Sequence, residues 1–471
     1  MSYKTAIARM YALGHELANA PSHKFDLAHM RVLLGALNHP ERKFPGVLIA
    51  GTNGKGSTAA TLASILRASG VRTGLYTSPH LVRINERIRI NGGEISDDDF
   101  ALLHDVVDRT AERLVEEGEL PWHPSFFEML TAIALEYFAQ NKVEIAVLEV
   151  GMGGRLDATN VIEPRVSVIT DISLDHQKFL GNTVAEIARE KAGIIRPGGV
   201  VVTLPQQPQG NDVIGNTILE LGAQAVSAVP YMPPVSPASE HYLVRTGEKP
   251  FIAEIAEEHA EGAEKSNRKA GVFLSRYPLQ VMGQQILVET PLAGRHQLRN
   301  IALAIATAEV LSHQGFAITP QTMERGIRET RWPGRFQVKP AEGGAPEYVF
   351  DVAHNPAGAW ALRSTLSACY EDRPLIFIFG AMRDKAIGQM AEILFPLALR
   401  VIATRADNPR SATPDEIREA AAHTATDIQD AMDVASALGR ARSLAGPQAV
   451  VVVTGSIYIV GEAMRALGVK V

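Results

Sequence analysis

The chain has 471 residues, 46% hydrophobic and 21% charged, with one cysteine and a formal net charge of −6. These values describe an ordinary globular protein with ample core, in two large domains or about three smaller ones, and they argue against a nucleic-acid-binding surface. No apolar run approaches the ~18 residues of a membrane span, and the single Cys369 excludes an internal disulfide or a cysteine metal cluster, so a reducing cytoplasm is the expected compartment.

Residues 1–14 read as a mildly amphipathic helix rather than a signal peptide; helices are expected over 5–20 and 26–38. Val47 to Ala50 is a short apolar run that reads as a buried strand, and Gly51-Thr-Asn-Gly-Lys-Gly-Ser57 follows it. Helical spacing begins at Lys55, with Leu62, Ile65 and Leu66 on one face. Strand, glycine loop, lysine and a hydroxyl at a helix start suit polyphosphate: backbone N–H groups are exposed, the helix end is positive, and Lys55 adds a point charge. A hydroxyl there can ligate magnesium. The spelling departs from G-x-x-x-x-G-K-[ST], because Gly51 stands four residues before Lys55 and Gly56 separates Lys55 from Ser57. An ordinary glycine turn and a phosphate loop both remain open from this stretch alone.

Thr73 to Thr77 reads as a second strand ending in Ser78-Pro79-His80-Leu81. Arg83, Arg87 and Arg89 then alternate with isoleucines, as an exposed strand edge or as a cationic loop facing an anion. Ser96 followed by three aspartates starts a helix that runs to about Glu117, and another helix covers Phe126 to Asn141. Val143 to Val150 is an apolar strand with Glu149 near its carboxyl end, before Gly151-Met-Gly-Gly-Arg-Leu-Asp-Ala-Thr-Asn160. Ligands of open α/β sheets collect outside the carboxyl ends of strands, so Glu149 is placed for a magnesium role; a partly solvated strand-end acid is the plain alternative. Val166 to Ile172 is the next strand, followed by Asp175-His176. A helix over Val184 to Ile195 carries Lys191, which reads by itself as an ordinary surface charge, and Val200 to Leu204 is another strand. This alternation predicts a mostly parallel, doubly wound sheet.

From Pro205 the texture becomes irregular, with Pro230, Pro233, Pro234 and Pro237 and a Glu/Lys/Ala-rich excursion at 254–269. Residues 205–293 are expected to form a small β-rich section, with short strands around Phe273, Leu279 to Val281 and Ile286 to Glu289. A second, Rossmann-like α/β domain is expected over 294–471, the first domain being 1–293. Its strands are expected at 347–351, 374–379, 400–404 and 449–453, with helices at 301–311, 357–369, 385–395, within 414–443 and from 456. Asp351-Val-Ala-His-Asn-Pro356 lies at one of these strand ends.

The chain contains no Gly-x-Ser-x-Gly, no H-E-x-x-H and no cysteine/histidine zinc spacing. One phosphate loop, later strand-end acids and histidines, and two α/β domains expected to close over a cleft give a magnesium-dependent, nucleotide-using enzyme and leave its substrate open.

The motifs together resemble the folylpolyglutamate synthase/dihydrofolate synthase family of the Mur ligase superfamily. Those carrying the resemblance are Gly51 to Ser57, Thr77 to Leu81, Leu148 to Asn160, Asp175-His176, Arg189-Glu-Lys-Ala-Gly193, Gly294-Arg-His-Gln297 and Asp351 to Pro356. The resemblance implies an N-terminal P-loop-type ATPase domain followed by a Rossmann-like ligase domain. It also implies an ATP-dependent amide ligase that phosphorylates a pterin carboxylate and lets the amine of L-glutamate attack the acyl phosphate. Implied substrates are dihydropteroate and reduced folates, with a single-activity folylpolyglutamate synthase as the alternative. The family pattern assigns ATP to Thr52, Asn53, Gly54, Lys55, Gly56 and Ser57, and to Asn300, Arg335 and Asp351. Two magnesium sites fall on Ser57, Glu149, His176 and a carbamylated Lys191. Lys55, Lys191, His176 and His354 are the catalytic candidates. Substrate contacts are expected from Ser78, Pro79, His80, Leu81, Arg83, Phe127, Arg155, Asp157 and Ala158. A monomer is expected, with no nucleic-acid or membrane partner, and 230–270 reads as an insertion. A muramyl ligase has little room for its extra domain before residue 50, and a nucleotide-binding scaffold would not need Lys191 or His176.

Overall fold

The structure is a computed structural model that describes residues 1–14, 27–233, 243–246, 271–424 and 427–471. The expected excursion at 254–269, Pro234, Pro237 and the end of the first helix lie outside the described residues. Contacts divide the chain into two compact units, one of Met1–Met232, Gln280–Ile286 and Arg299–Glu329, the other of Pro233–Leu279, Leu287–Leu298 and Thr330–Val471.

The first unit is built on eight strands: β1 (Gly46–Ala50), β2 (Thr73–Tyr76), β3 (Ile88–Ile90), β4 (Gly93–Glu94), β5 (Ile145–Glu149), β6 (Pro164–Ile169), β7 (Val200–Thr203) and β8 (Gln224–Ser227). Their order is β4-β3-β2-β5-β1-β6-β7-β8. Pairing is parallel from β2 to β8 and antiparallel at β3 and β4. β1 and β5 are buried along their whole length, as the unbroken apolar runs of a sheet covered on both faces require. The covering helices have local start signals. Ser96 accepts from the Asp99 N–H with three aspartates in the first turn, and Ser125/Glu128 and Thr183/Glu186 form capping boxes. The last of these starts Val184–Ala192, the helix that ends on Lys191.

Residues 205–227 differ from the expected β-rich section. Pro208–Glu220 is a helix with proline in its first turn, and β8 follows as the outer strand of the main parallel sheet. Proline at a helix start costs no hydrogen bond, so this proline-marked stretch continues the alternation. Strand character does return later: β9 (Leu243–Arg245), β10 (Phe273–Val281) and β11 (Gln284–Thr290) form a three-stranded sheet of order β11-β10-β9. β10 alternates buried and exposed residues from Ser275 on, the period-two pattern of a sheet with one wet face.

The second unit carries β12 (Gln337–Lys339), β13 (Glu347–Phe350), β14 (Leu375–Phe379), β15 (Ala398–Ala403), β16 (Ile428–Asp430) and β17 (Val450–Thr454) in the order β12-β13-β17-β14-β15-β16. Only β12 is antiparallel. β12 and β16 are too short and too polar to stand out by pattern. The helix Pro320–Arg328 was also not expected from the sequence. It packs on the helix Lys55–Ala68 so closely that a Cβ on Gly326 would lie 2.4 Å from Ile65 Cα. No helix among the described residues is long and apolar enough to cross a membrane.

Candidate functional site

The loop after β1 is held by the chain leaving β6. Thr52 N–H and Asn53 N–H donate to the Asp171 carbonyl at 2.8 and 3.2 Å, Thr52 Oγ1 donates to Ser173 O at 3.0 Å, and Asn53 Nδ2 donates to Ser173 Oγ at 3.3 Å. Gly51 fits because a Cβ there would lie 1.7 Å from Thr170 Oγ1. Gly54 has φ +91° and begins the helix Lys55–Ala68; its absent Cβ leaves room for Asn300, whose Oδ1 would be 2.1 Å away from it. Asn300 therefore stands against the loop, within the first unit. Ser57 is buried in the first turn of the helix.

Two lysines converge on this loop. Lys55 Nζ donates to Gly51 O at 3.1 Å and Thr52 O at 3.2 Å, and Lys191 Nζ donates to the same Gly51 O at 2.7 Å. Lys191 is 4% exposed. Burial and then the Lys55 charge push its ammonium down to about 7, against the attraction of Asp175 and Asp157. Lys191 is thus no ordinary surface charge. Glu149, 4% exposed at the end of β5, accepts from Ser78 N–H at 3.1 Å. His176 is in the left-handed region at φ 50°, with its backbone N–H on Asp175 Oδ1 at 2.8 Å.

The segment 151–160 is a backbone-packed loop. A Cβ on Gly151 would lie 2.6 Å from the Phe127 ring, and one on Gly154 would lie 2.8 Å from Glu190 O. Asp157 is buried, accepting from Met152 N–H, Thr159 N–H and Thr159 Oγ1; burial raises its carboxyl above the usual range while these bonds oppose the rise. Ala158 is buried beside it. Phe127 also meets the Tyr76 ring at 5.9 Å. Arg155 is paired with Glu190, the neighbour of Lys191, at 2.9 Å.

In the stretch after β2, Glu86 accepts from the N–H groups of Leu81, Val82 and Arg83 and so shapes the Ser78-Pro79-His80-Leu81 loop. The arginines that follow are committed: Arg83 pairs with Asp97, Arg89 with Glu94, and buried Arg87 donates to His80 Nδ1 at 2.8 Å. Each of these arginines thus has a partner within this loop and the elements beside it.

Sequence reading missed the pair Arg299–Asp171. Arg299 Nε lies 2.9 and 3.0 Å from the two carboxylate oxygens and its Nη2 2.6 Å from Oδ1. Arg299 immediately precedes Asn300, and Asp171 supplies the carbonyl that holds Thr52 and Asn53. The only signal was a charge of each sign beside a motif residue.

In the second unit, Asp351 is buried just past β13 and accepts from Phe336 N–H and Ala353 N–H, each at 2.9 Å. Burial raises its carboxyl, opposed chiefly by the Arg335 charge. His354 Nδ1 lies 2.9 Å from Val352 O, a carbonyl that can only accept, so this nitrogen donates. Arg335, Asp351 and His354 are thus assembled at one carboxyl strand end, followed by the helix Pro356–Cys369, which Asn355 caps.

No group of three or more His, Cys, Asp or Glu side chains among the described residues forms a metal cage. Magnesium that arrives with a nucleotide keeps waters and phosphate oxygens and needs only one or two protein donors; buried Glu149 and the Ser57 hydroxyl are of the right chemistry.

Residues 125–220 match the model of the Mur ligase middle domain and residues 334–457 that of the Mur ligase glutamate ligase domain. The chain is 32% identical to a dihydrofolate synthase/folylpolyglutamate synthase of Bacillus subtilis, covering 94% of each, and 33% identical to a folylpolyglutamate synthase of Lacticaseibacillus casei, covering 99% of each. Its fold is similar to that of Mycobacterium tuberculosis folylpolyglutamate synthase complexed with ADP and AMPPCP, with a TM-score of 0.80, 30% identity and 99% of each chain covered. An FPGS–AMPPCP–folate complex is similar at a TM-score of 0.77 and 30% identity, covering 99% of this chain and all of that one.

Proposed function

The chain belongs to the dihydrofolate synthase/folylpolyglutamate synthase family of ATP-dependent ligases, and we propose from that premise that it joins L-glutamate to dihydropteroate and to reduced folates through an acyl phosphate. The observation that carries the reading is the convergence of the Lys55 ammonium and the buried Lys191 side chain on the Gly51 carbonyl, beside the N–H groups that open the helix Lys55–Ala68. Phosphoryl transfer to a carboxylate brings several negative oxygens together, and fixed cations and backbone N–H groups lower its barrier chiefly by electrostatics and alignment.

In this reading Lys55 leaves the Gly51 and Thr52 carbonyls to hold the β- and γ-phosphates, Thr52 and Asn53 shape the loop through their bonds to the Asp171 carbonyl, and Lys55 to Ser57 in the first helical turn supply backbone N–H groups. Asn300, against Gly54, contacts the nucleotide; Arg335 and Asp351 are assigned to phosphate and ribose. Ser57, Glu149, His176 and a carbamylated Lys191 would hold magnesium, which neutralises phosphate charge when bound. Carbamylation requires a neutral amine, and burial beside Lys55 favours that form of Lys191. Phe127, Asp157 and Ala158 form the pterin wall with Ser78 to Leu81, Arg155 being turned to Glu190 instead, and His354 is assigned to the glutamate and ATP region. The protein acts as a monomer in the cytoplasm, in keeping with its single cysteine.

The experiment is one assay on the purified protein with Mg-ATP and L-glutamate, reading phosphate release and product mass with dihydropteroate or tetrahydrofolate. Product with both acceptors is expected. Silence with both overturns the proposal; product with only one reduces it to a single activity.

A further inference from the structure

A second concave surface lies at the opposite end of the first unit's sheet from the phosphate loop. It is a groove of about 1050 Å³ between the helix Leu27–Ala36, the residues entering β1 and the crossover that enters β6. Phe44 and Pro45 precede β1 and Pro164 opens β6, so the groove sits at the amino ends of these strands. The five-residue β1 separates it from Gly51 by roughly 17 Å. Its volume is that of a small-molecule site.

Its charge is unusual for a protein of net charge −6. Six cations line it, Arg31, Arg42, Lys43, Arg155, Arg165 and Arg196, against two acids, Glu41 and Glu163. Both acids are already engaged: Glu41 by His39 at 2.9 Å and Arg42 at 3.2 Å, Glu163 by Arg196 at 3.3 Å. Arg31, Lys43 and Arg165 are exposed, and among the described residues they carry no ion pair. Cations that outnumber the acids beside them in a concavity repel one another and focus a positive field into it.

The groove wall also leads to the reaction site. Arg155 lines the groove with an exposed side chain, pairs with Glu190 at 2.9 Å, and donates its backbone N–H to Glu190 O at 2.8 Å. Asn160, also in the wall, donates to Arg155 O and Gly193 O, each at 3.1 Å. Glu190 and Gly193 flank the Lys191 turn, whose ammonium rests on the Gly51 carbonyl.

We propose that this groove binds an oligocarboxylate, namely the glutamate chain that the ligase builds, and that occupancy is felt at Lys191. The inference rests on the proposed ligase reading for its ligand, since each added glutamate leaves one free α-carboxylate along the chain. A carboxylate entering the groove competes with Glu190 for Arg155 and loosens the turn that carries Lys191. Chain length would thereby feed back on the reaction site.

The test is calorimetric binding of free tetra-γ-glutamate peptide to the whole protein, without ATP or folate, so that it does not depend on turnover. Saturable binding is expected that weakens at least tenfold in an Arg31→Gln/Lys43→Gln/Arg165→Gln variant, weakens steeply with salt, and is unchanged in Lys55→Ala. Hydrogen exchange over 184–193 is expected to rise on binding. No binding, equal binding by the triple variant, loss of binding in Lys55→Ala, or equally tight binding of inorganic phosphate overturns it. Binding with unaltered exchange overturns the coupling to Lys191. Absence of ligase product with intact peptide binding would instead overturn the proposed function, which separates the two failures.

Discussion

Lys55 and Lys191 donate to one acceptor, the carbonyl of Gly51, at 3.1 and 2.7 Å. Two lysine nitrogens share this oxygen, and one of them, that of Lys191, is almost wholly buried. Burial and the Lys55 charge favour the neutral form of Lys191, so the pair keeps one full cation, Lys55, for an incoming phosphate.

The first prediction concerns stability and pH. Lys191 is held near 7 in the folded protein against 10.5 for a free lysine. Between those values the unfolded chain binds a proton that the native chain lacks, so stability rises with pH across roughly 7 to 10.5. Below 7 both states are protonated and the group adds no slope. The limit for one group is about 1.4 kcal/mol per pH unit. Urea unfolding in carbonate-free buffer at several pH values should show this rise, and Lys191→Met should flatten it without lowering stability at pH 7.

The same neutral amine is the form that reacts with carbon dioxide. Ligase turnover in carbonate-depleted buffer is therefore expected to fall severalfold and to recover on adding bicarbonate, while Lys191→Ala stays low, by about two orders of magnitude, with or without it. Intact-protein mass spectrometry under bicarbonate should find a labile carbamate in the parent and none in the variant. Turnover indifferent to bicarbonate, with no adduct, would rule the carbamate out.

Arg299 is a positioning residue. Its guanidinium grips the Asp171 carboxylate, and the Asp171 carbonyl holds Thr52 and Asn53, so the helix bearing Asn300 and the phosphate loop share one anchor. Arg299→Ala is expected to raise KM for ATP about tenfold, equivalent to ~1.4 kcal/mol, with a smaller loss in kcat. Arg299→Lys should recover part of the loss, because one ammonium cannot reproduce the two-pronged contact. Combining Arg299→Ala with Asp171→Asn should cost less than the sum of the single changes. Equal losses in kcat and KM for acceptor and ATP alike would reduce the pair to general stability.

What the sequence disclosed follows from how local each signal was. Gly51 to Ser57 and Glu149 stood at the ends of apolar strands, and both lie at carboxyl ends of the first unit's sheet. The alternation of strands and helices held for both units, while the irregular texture after Pro205 hid the helix Pro208–Glu220 and β8, and short polar stretches hid β12, β16 and the helix Pro320–Arg328. Lys191 gave no local sign of its role. Its burial depends on Gly154 and Gly193, which let the loop and helix backbones touch, a relation between segments about 40 residues apart. Arg299 and Asp171 are 128 residues apart and each reads alone as a surface charge. The arginines after β2 read either as an exposed edge or as a cationic loop, and their pairing with an acid or a histidine of the fold was not visible from their periodicity.

Gly326 supplies the contrasting case, a position near the site that should matter to stability alone. A Cβ there would meet Ile65 at 2.4 Å from Cα and 2.7 Å from N, both backbone atoms of the helix that begins at Lys55. Neighbouring bonds fix the approach, with Ser69 Oγ 2.8 Å from Thr322 Oγ1 and Arg67 2.9 Å from Glu329. The backbone cannot yield as a side chain could, so Gly326→Ala must push Pro320–Arg328 outward. The expected cost is about 1–3 kcal/mol, read as a lower urea midpoint with an unchanged slope. Ile65 lies about three turns along the helix from Lys55, so the KM for ATP should stay within about twofold while the folded fraction is maintained. A rise in KM matching that of Arg299→Ala would mean that the helix moves as one piece and that its packing, not only its first turn, sets the phosphate loop.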